Sequence, residues 1–360
     1  MRILPTCLLL LALAATEAGA KSLIEMGWDE PNPAFMRAHL AQIEAQPFDG
    51  LVYHVGGDRG GDAAGLTGAF TWKAWGRRRW SEAELADDLR DLQAIRWTKF
   101  RHNFLRVNMT PADIDWFEDY STVLANLTLA ASVAKRAGSK GIVLDPESYE
   151  GQPFAYPKQK SKRPFKEVQA QARRRGAEVM RAFEKGYPGL TLFLTMGATH
   201  ADIQRRGGGI QFDKGMYGLL PAFVEGLVDG ASSSATIVDG MEGSYPVRTN
   251  AEVENYFKQH EIYADAMKEP SKYRKTVSRG MGLWFDFDWR AKGWNANKPE
   301  ANYRTPEGLR KALRRALELT DEYVWLYGEK PRWWTSKGGR EELPEAYVEA
   351  VRDARKGLAP

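Results

Sequence analysis

The sequence predicts an α/β fold, a (βα)8 or TIM barrel forming one domain, and three observations predict it. From residue 21 onward, short apolar segments alternate eight times with longer segments of helical period. No shift in composition divides these units. No strand-like segment runs straight into a G-x-G-x-x-G turn and no P-loop occurs, which removes the usual signatures of the rival open doubly wound sheet. A chain of 360 residues and 40.5 kDa is long enough for such a barrel, which commonly takes about 250 residues or more with insertions.

The elements follow in order. The first strand lies in Ser22 to Trp28, and a helix follows from Pro33 to about Gln46, with Asn32 as N-cap and Pro33 in the first helical position. Strand two is Gly50 to Val55, and its helix, Ser81 to Ile95, opens on a Ser81/Glu84 capping-box pattern. Strand three falls within Lys99 to Asn108, and its helix within Asp115 to Ala137, stopped by Gly138. Strand four is Gly141 to Asp145, where Pro146 cannot donate a ladder hydrogen bond and ends it. A helix from Phe165 to Lys185 leads to strand five in Leu190 to Gly197. A helix near Leu219 to Val228 precedes strand six, Ala235 to Gly240, and another spans about Ala251 to Met267. Strand seven is Gly280 to Trp289, followed by a helix from Pro306 to Leu319. Strand eight is Glu322 to Glu329, and a last helix covers Pro344 to Arg355.

The first twenty residues stand apart. Arg2, the apolar run from Cys7 to Ala15 and the small residues Ala18, Gly19 and Ala20 have the order of a secretory signal peptide. The run is shorter than the roughly 20 residues a membrane-spanning helix needs. Residues 1–20 are therefore expected to be a cleaved leader, residues 21–360 the barrel, and the protein secreted or periplasmic. Cys7 is the only cysteine, so disulfides, thiolate catalysis and cysteine metal sites are not expected after cleavage. A hydrophobic content of 43% with 27% charged residues fits a globular core, and a net charge of +4 is too small to indicate nucleic-acid binding. The strongest basic stretch, Lys158 to Arg175, reads as a solvated helix face, or as an attraction for an anionic substrate.

In a (βα)8 barrel the site lies at the C-terminal ends of the strands, and those ends are polar here. They carry Trp28, Asp29 and Glu30; Tyr53 and His54; Arg106 and Asn108; Asp145 and Glu147; Thr195 and His200; Asp239 and Glu242; Trp284, Asp286 and Asp288; and Tyr323, Trp325, Tyr327 and Glu329. Paired carboxylates suit hydrolysis of a glycosidic bond, and aromatic rings suit the apolar faces of sugars. Twelve tryptophans, among them Trp72, Trp75, Trp80, Trp289, Trp294, Trp333 and Trp334 in loops above the barrel, strengthen the second half of that reading. The five histidines are scattered without metal-ligand spacing, no G-x-S-x-G elbow occurs, and Gly207 to Gly209 read as a loop; neither a metal nor any other cofactor is expected.

LDPESY, with Asp145 and Glu147, resembles the D-x-E ending of the fourth strand in chitinase-like glycoside hydrolases of family 18. The resemblance implies that Glu147 is the acid and that Asp145 assists the substrate's acetamido group; Trp325 matches that family's tryptophan beneath the sugar. The extended D-x-x-D-x-D-x-E pattern is absent, since Lys140 to Leu144 precede Asp145, and no family is assigned.

The expected function is that of an exported glycoside hydrolase on a poly- or oligosaccharide. Glu147 is expected to be general acid, Glu242 nucleophile or base because the glycines beside it can expose it over the barrel mouth, and Asp145 a third catalytic carboxylate. Asp286 is the alternative to Glu242. Trp28, Asp29, His54, Asn108, Asp239, Asp286, Trp325, Tyr327 and Glu329 are expected to bind substrate. The alternatives are a non-catalytic carbohydrate-binding barrel and a lyase or metal-assisted hydrolase acting on anionic polysaccharide.

Overall fold

A computed structural model describes residues 21–28, 30–57, 69–288, 293–334 and 343–358. The leader, Asp29 and Trp289 lie outside the described residues. Nine strands form one parallel sheet: β1 Ser22–Glu25, β2 Gly50–Tyr53, β3 Phe104–Asn108, β4 Gly141–Asp145, β5 Thr191–Leu194, β6 Thr236–Asp239, β7 Val277–Arg279, β8 Met281–Trp284 and β9 Tyr323–Tyr327. Their order is β7-β6-β5-β4-β3-β2-β1-β9-β8. Only Gly280 separates β7, which pairs with β6, from β8, which pairs with β9, and the Gly280 N–H continues the ladder to the Asp239 carbonyl at 2.8 Å. The strands thus form a ring whose seam is one glycine, a (βα)8 barrel with its seventh strand interrupted.

Alternation along the strands sorts the core into two bodies. Ile24, Val52, Phe104, Val143, Phe193, Val238, Tyr323 and Trp325 point inward and fill the barrel. Their neighbours Leu23, Leu51, Leu105, Ile142, Leu192, Ile237 and Val324 point outward against the helices. Moving two residues toward the C-terminal end on the inward face of β3 and β4 exchanges Phe104 for Arg106, with Asn108 beyond it, and Val143 for Asp145. The interior therefore turns from apolar to charged within one side-chain layer, and that layer is the floor of the site.

Several expected elements have the predicted bounds or nearly so, including β4 and the helices Phe165–Gly186 and Pro306–Leu319. Asn32 caps its helix by accepting from the Phe35 N–H at 2.9 Å, and the Ser81/Glu84 capping box is formed. Strand seven differs: it begins at Val277, breaks at Gly280 and ends at Trp284, so Asp286 and Asp288 lie in the following loop. The single-turn helix Phe70–Lys73 and two others were not legible. Ala198–Gly208 buries only Ala198, Thr199, Ala201 and Asp202, and Pro270–Thr276 buries only Tyr273, so neither presents an apolar stripe. Gly207 and Gly208 complete the first of these and Gly209, at φ 66°, caps it, where a loop was expected.

Candidate active site

The floor of the site is a buried polar network. Arg106 reaches across from β3: Nη1 donates to Glu30 Oε2 at 3.0 Å, Nη2 to Asp145 Oδ2 at 2.6 Å and Nε to Asn108 Oδ1 at 2.8 Å. Burial alone would lower the guanidinium's pKa, but the charges of Glu30 and Asp145 outweigh it and hold Arg106 well above its usual value. Asp145 also accepts from Asn108 Nδ2 at 3.1 Å, the Tyr149 hydroxyl at 3.2 Å, Thr195 Oγ1 at 3.2 Å and the Glu147 N–H at 3.0 Å. The last of these turns the chain at Pro146, as Asp side chains do two residues ahead of themselves, and sets Glu147 on the cavity wall.

The second wall comes from β6. Asp239 Oδ1 accepts from the Gly197 N–H at 3.0 Å and the Met241 N–H at 3.1 Å. Met241 then adopts a left-handed backbone, φ 46° and ψ 48°, which costs a non-glycine residue about 1–2 kcal/mol. The Glu242 N–H donates to the Thr195 carbonyl at 3.0 Å, and Glu242 opens a short 3-10 turn to Ser244. Its Oε2 is buried and has no hydrogen-bond partner among the described residues.

Above the floor is a cavity of about 620 Å³, lined by Glu147 and Glu242 and by Tyr217, Tyr245, Trp284, Phe287 and Tyr303, with Met196, His200, Gly243, Pro246 and Asp288 completing the wall. A small recess of about 20 Å³ continues inward to Trp28, Arg106, Asp145, Tyr149 and Tyr327. Burial first, then the charge of Asp145, raises the Glu147 pKa. Burial first, then the charges of Asp145 and Glu147, raises Glu242 well above the ordinary carboxylate range. Two carboxyls that repel each other in one apolar cavity titrate as a pair, and the more deeply buried member keeps its proton longer.

The other expected site residues take different places. Trp28 donates from its indole N–H to the Tyr327 hydroxyl at 2.8 Å, and Tyr327 donates to Glu329 at 3.1 Å and stacks on Tyr245 with 5.1 Å between ring centroids. Burial raises the Glu329 carboxyl. His54 is fully buried beside Glu30, with 3.6 Å between Nδ1 and Oε1, and Asn108 is enclosed by Arg106 and Asp145. Asp239 is buried in its backbone contacts and does not line the cavity. Trp325 lies beneath it, donating to the Gly240 carbonyl at 2.8 Å and packing under Tyr245. Asp286 lines neither the cavity nor the recess: it accepts from the Trp284 indole at 2.7 Å and from the N–H groups of Glu329 and Lys330, so it ties the exits of β8 and β9 together. Burial pushes its carboxyl up to about 7 against those backbone donors.

Of the loop tryptophans, Trp72 packs behind the recess against Trp28, Tyr149 and Arg106. Trp72, Trp75, Trp80, Trp294, Trp333 and Trp334 are buried, and among the described tryptophans Trp284 alone borders the large cavity. Of the rings that do line it, Tyr217, Tyr245, Phe287 and Tyr303 had no signal of their own. The spacing of Tyr245, one turn of chain beyond Glu242, was the one available hint. The basic stretch runs from the segment before the helix Phe165–Gly186 into that helix, where Arg173 pairs with Glu225 and Asp229 and Arg175 with Glu178; none of it lines the cavity. Among the described residues no three His, Cys, Asp or Glu side chains group to hold a metal ion, and no helix is long and apolar enough to cross a membrane.

No protein-family model and no curated protein matches the sequence. Solved structures of similar fold include a GH18 chitinase from Pseudoalteromonas aurantia, 9% identical over 93% of this chain and 100% of that one with a TM-score of 0.43. They also include GH5_18 from Streptomyces cattleya, 14% identical over 95% and 82% with a TM-score of 0.47. A sugar phosphate isomerase/epimerase from Anabaena variabilis, 12% identical over 93% and 97% with a TM-score of 0.43, is a further example. These are likenesses of fold alone, and no particular family is assigned.

Proposed function

We propose that the protein is an exported glycoside hydrolase in which Glu147 and Glu242 form a carboxyl pair sharing one proton over an aromatic cavity. The observation that carries this reading is their convergence: two glutamates from the exits of β4 and β6 line one cavity, and burial and the charge of Asp145 raise both. Such a pair presents an acid and a base together, which is what protonating a leaving oxygen while attacking from the other side requires. Tyr245, Trp284, Phe287 and Tyr303 offer apolar faces for sugar rings. Export rests on the leader-like residues 1–20.

Glu242 Oε2 is buried with no hydrogen-bond partner among the described residues, which favours the protonated form there, and burial raises its carboxyl. Glu242 is then the acid and Glu147 the nucleophile or base, the reverse of the order the strand-four motif suggested. Asp145, fixed by five donors, holds Arg106 and orients Glu147 rather than leaving its place.

A panel of polysaccharides and aryl glycosides tests both levels. Wild-type protein is expected to release reducing ends from at least one glycan, while Glu147→Gln and Glu242→Gln lose about a thousandfold or more in kcat/KM. Sugar binding with no product would instead identify a binding barrel. Aryl glycosides with good leaving groups need no proton donor, so Glu242→Gln is expected to regain activity on them and Glu147→Gln is not. The opposite pattern overturns the order of roles.

A further inference from the structure

Glu242 stands on a turn that its own sequence does not favour. Met241 occupies a left-handed conformation in which glycine is the usual residue, yet its side chain is buried and cannot be dispensed with as packing. Three contacts hold the turn in place. Asp239 Oδ1 accepts from the Met241 N–H at 3.1 Å, and the Thr195 carbonyl accepts from the Glu242 N–H at 3.0 Å. Ser244 Oγ lies 2.6 Å from the Met241 carbonyl and 2.7 Å from that of Gly282, so its proton ties the turn to β8.

Asp239 is itself braced. The Gly197 N–H donates to the same oxygen at 3.0 Å, and a Cβ on Gly197 would fall 2.3 Å from the Asp239 carboxyl carbon, so only glycine permits that approach. A Cβ on Gly240 would fall 2.5 Å from the Leu194 carbonyl, which likewise leaves the chain no other residue between Asp239 and the strained position. Asp239 borders neither the large cavity nor the recess. Its proximity to the site therefore acts through the backbone rather than through a ligand.

We infer that Asp239 and Ser244 are positioning residues that hold the left-handed Met241 turn and thereby aim Glu242 into the cavity. The inference rests on the reading of Glu242 as catalytic only for its kinetic consequence; the placement of the carboxyl is testable without turnover. A displacement of about 1 Å at a reacting group costs on the order of a hundredfold in rate. Asp239→Ala is accordingly expected to lower kcat about a hundredfold with KM within about twofold, since it leaves the aromatic cavity intact. Asp239→Asn, whose amide oxygen can accept the same two N–H groups, is expected to restore kcat to within about threefold. Ser244→Ala, which keeps Asp239, is expected to lose about tenfold and serves if Asp239→Ala does not fold.

The same variants in full-length protein are to be titrated by 13C NMR of labelled glutamate carboxyls, with Glu242→Gln assigning the resonance. In Asp239→Ala or Ser244→Ala the Glu242 midpoint is expected to fall toward the ordinary carboxylate range, because a slackened turn lets water reach it. A Glu242 midpoint unchanged from wild type in folded Ser244→Ala and Asp239→Ala overturns the inference. If wild-type protein cleaves no glycan while the midpoint shifts as expected, the hydrolase reading fails and the positioning role stands.

Discussion

The exits of β4 and β6 use the same device and put it to different ends. Each strand finishes on an aspartate whose Oδ1 accepts the N–H two residues ahead, Glu147 for Asp145 and Met241 for Asp239, and each delivers a glutamate to the cavity wall. At β4 the second oxygen of the aspartate is taken up by Arg106, Asn108 and Tyr149, so the aspartate belongs to the charged floor. At β6 the second oxygen of Asp239 has no partner among the described residues, and the whole burden is on the backbone. The difference teaches that one local motif, Asp followed by a turn and a Glu, can serve charge in one place and geometry in the other.

The largest way to break the β4 end is Arg106→Met. It removes the cation shared by Glu30 and Asp145 and leaves buried carboxylates without their partner, an expected loss of about 3–5 kcal/mol in urea unfolding. A loss below about 1 kcal/mol would mean that the network is not holding the floor.

The β6 end is sharpened by pH. The folded-state pKa of Glu242 is raised, so its contribution to stability is complete below the unfolded-state value and is lost as pH rises through the folded-state value. Glu242→Gln keeps a neutral side chain at every pH. The variant is therefore expected to match wild type near pH 4 and to exceed it by about 1–3 kcal/mol at pH 8, the scale of an unsatisfied buried polar group. Denaturant melts at the two pH values check this, and equal stabilities at pH 8 would place Glu242 in contact with solvent.

Trp325→Phe touches the β6 end from below. It removes the donor to the Gly240 carbonyl and should cost about 1 kcal/mol by the same unfolding measurement, with a rise in KM as Tyr245 loses its support. Thr249→Ala, in the capping box of the helix Asn250–Asp265, lies outside both ends. It is expected to cost about 1 kcal/mol and to leave kcat unchanged, which calibrates stability loss that has nothing to do with the site.

Much of the barrel was legible because its signals are local. The run Ile142 to Leu144 closed by Asp145 and Pro146 defines β4 to the residue, and Asn32 with Pro33 fixes the start of the first helix. The Gly280 break was hidden because the residues on both sides read as strand. The helix Ala198–Gly208 was hidden because small and polar residues make up its buried face. In the site, Glu147 and Glu242 could be picked out as carboxylates at strand ends beside residues that break a strand. Asp239 and Asp286 gave the same signal, and only their backbone partners show what they hold. Phe287 and Tyr303, brought to the cavity by long loops, carried no pattern at all, since sequence does not show which loop aromatic turns inward.

The central claim, that Glu147 and Glu242 act as one unit, is tested most directly by the kinetics of Glu147→Gln, Glu242→Gln and the double variant on one glycoside whose leaving group needs protonation. Residues that share a proton fail together, so each single variant should lose about a thousandfold or more in kcat/KM and the double variant should be no worse than the poorer single. A single variant within about tenfold of wild type, or losses that multiply in the double variant, would contradict the account.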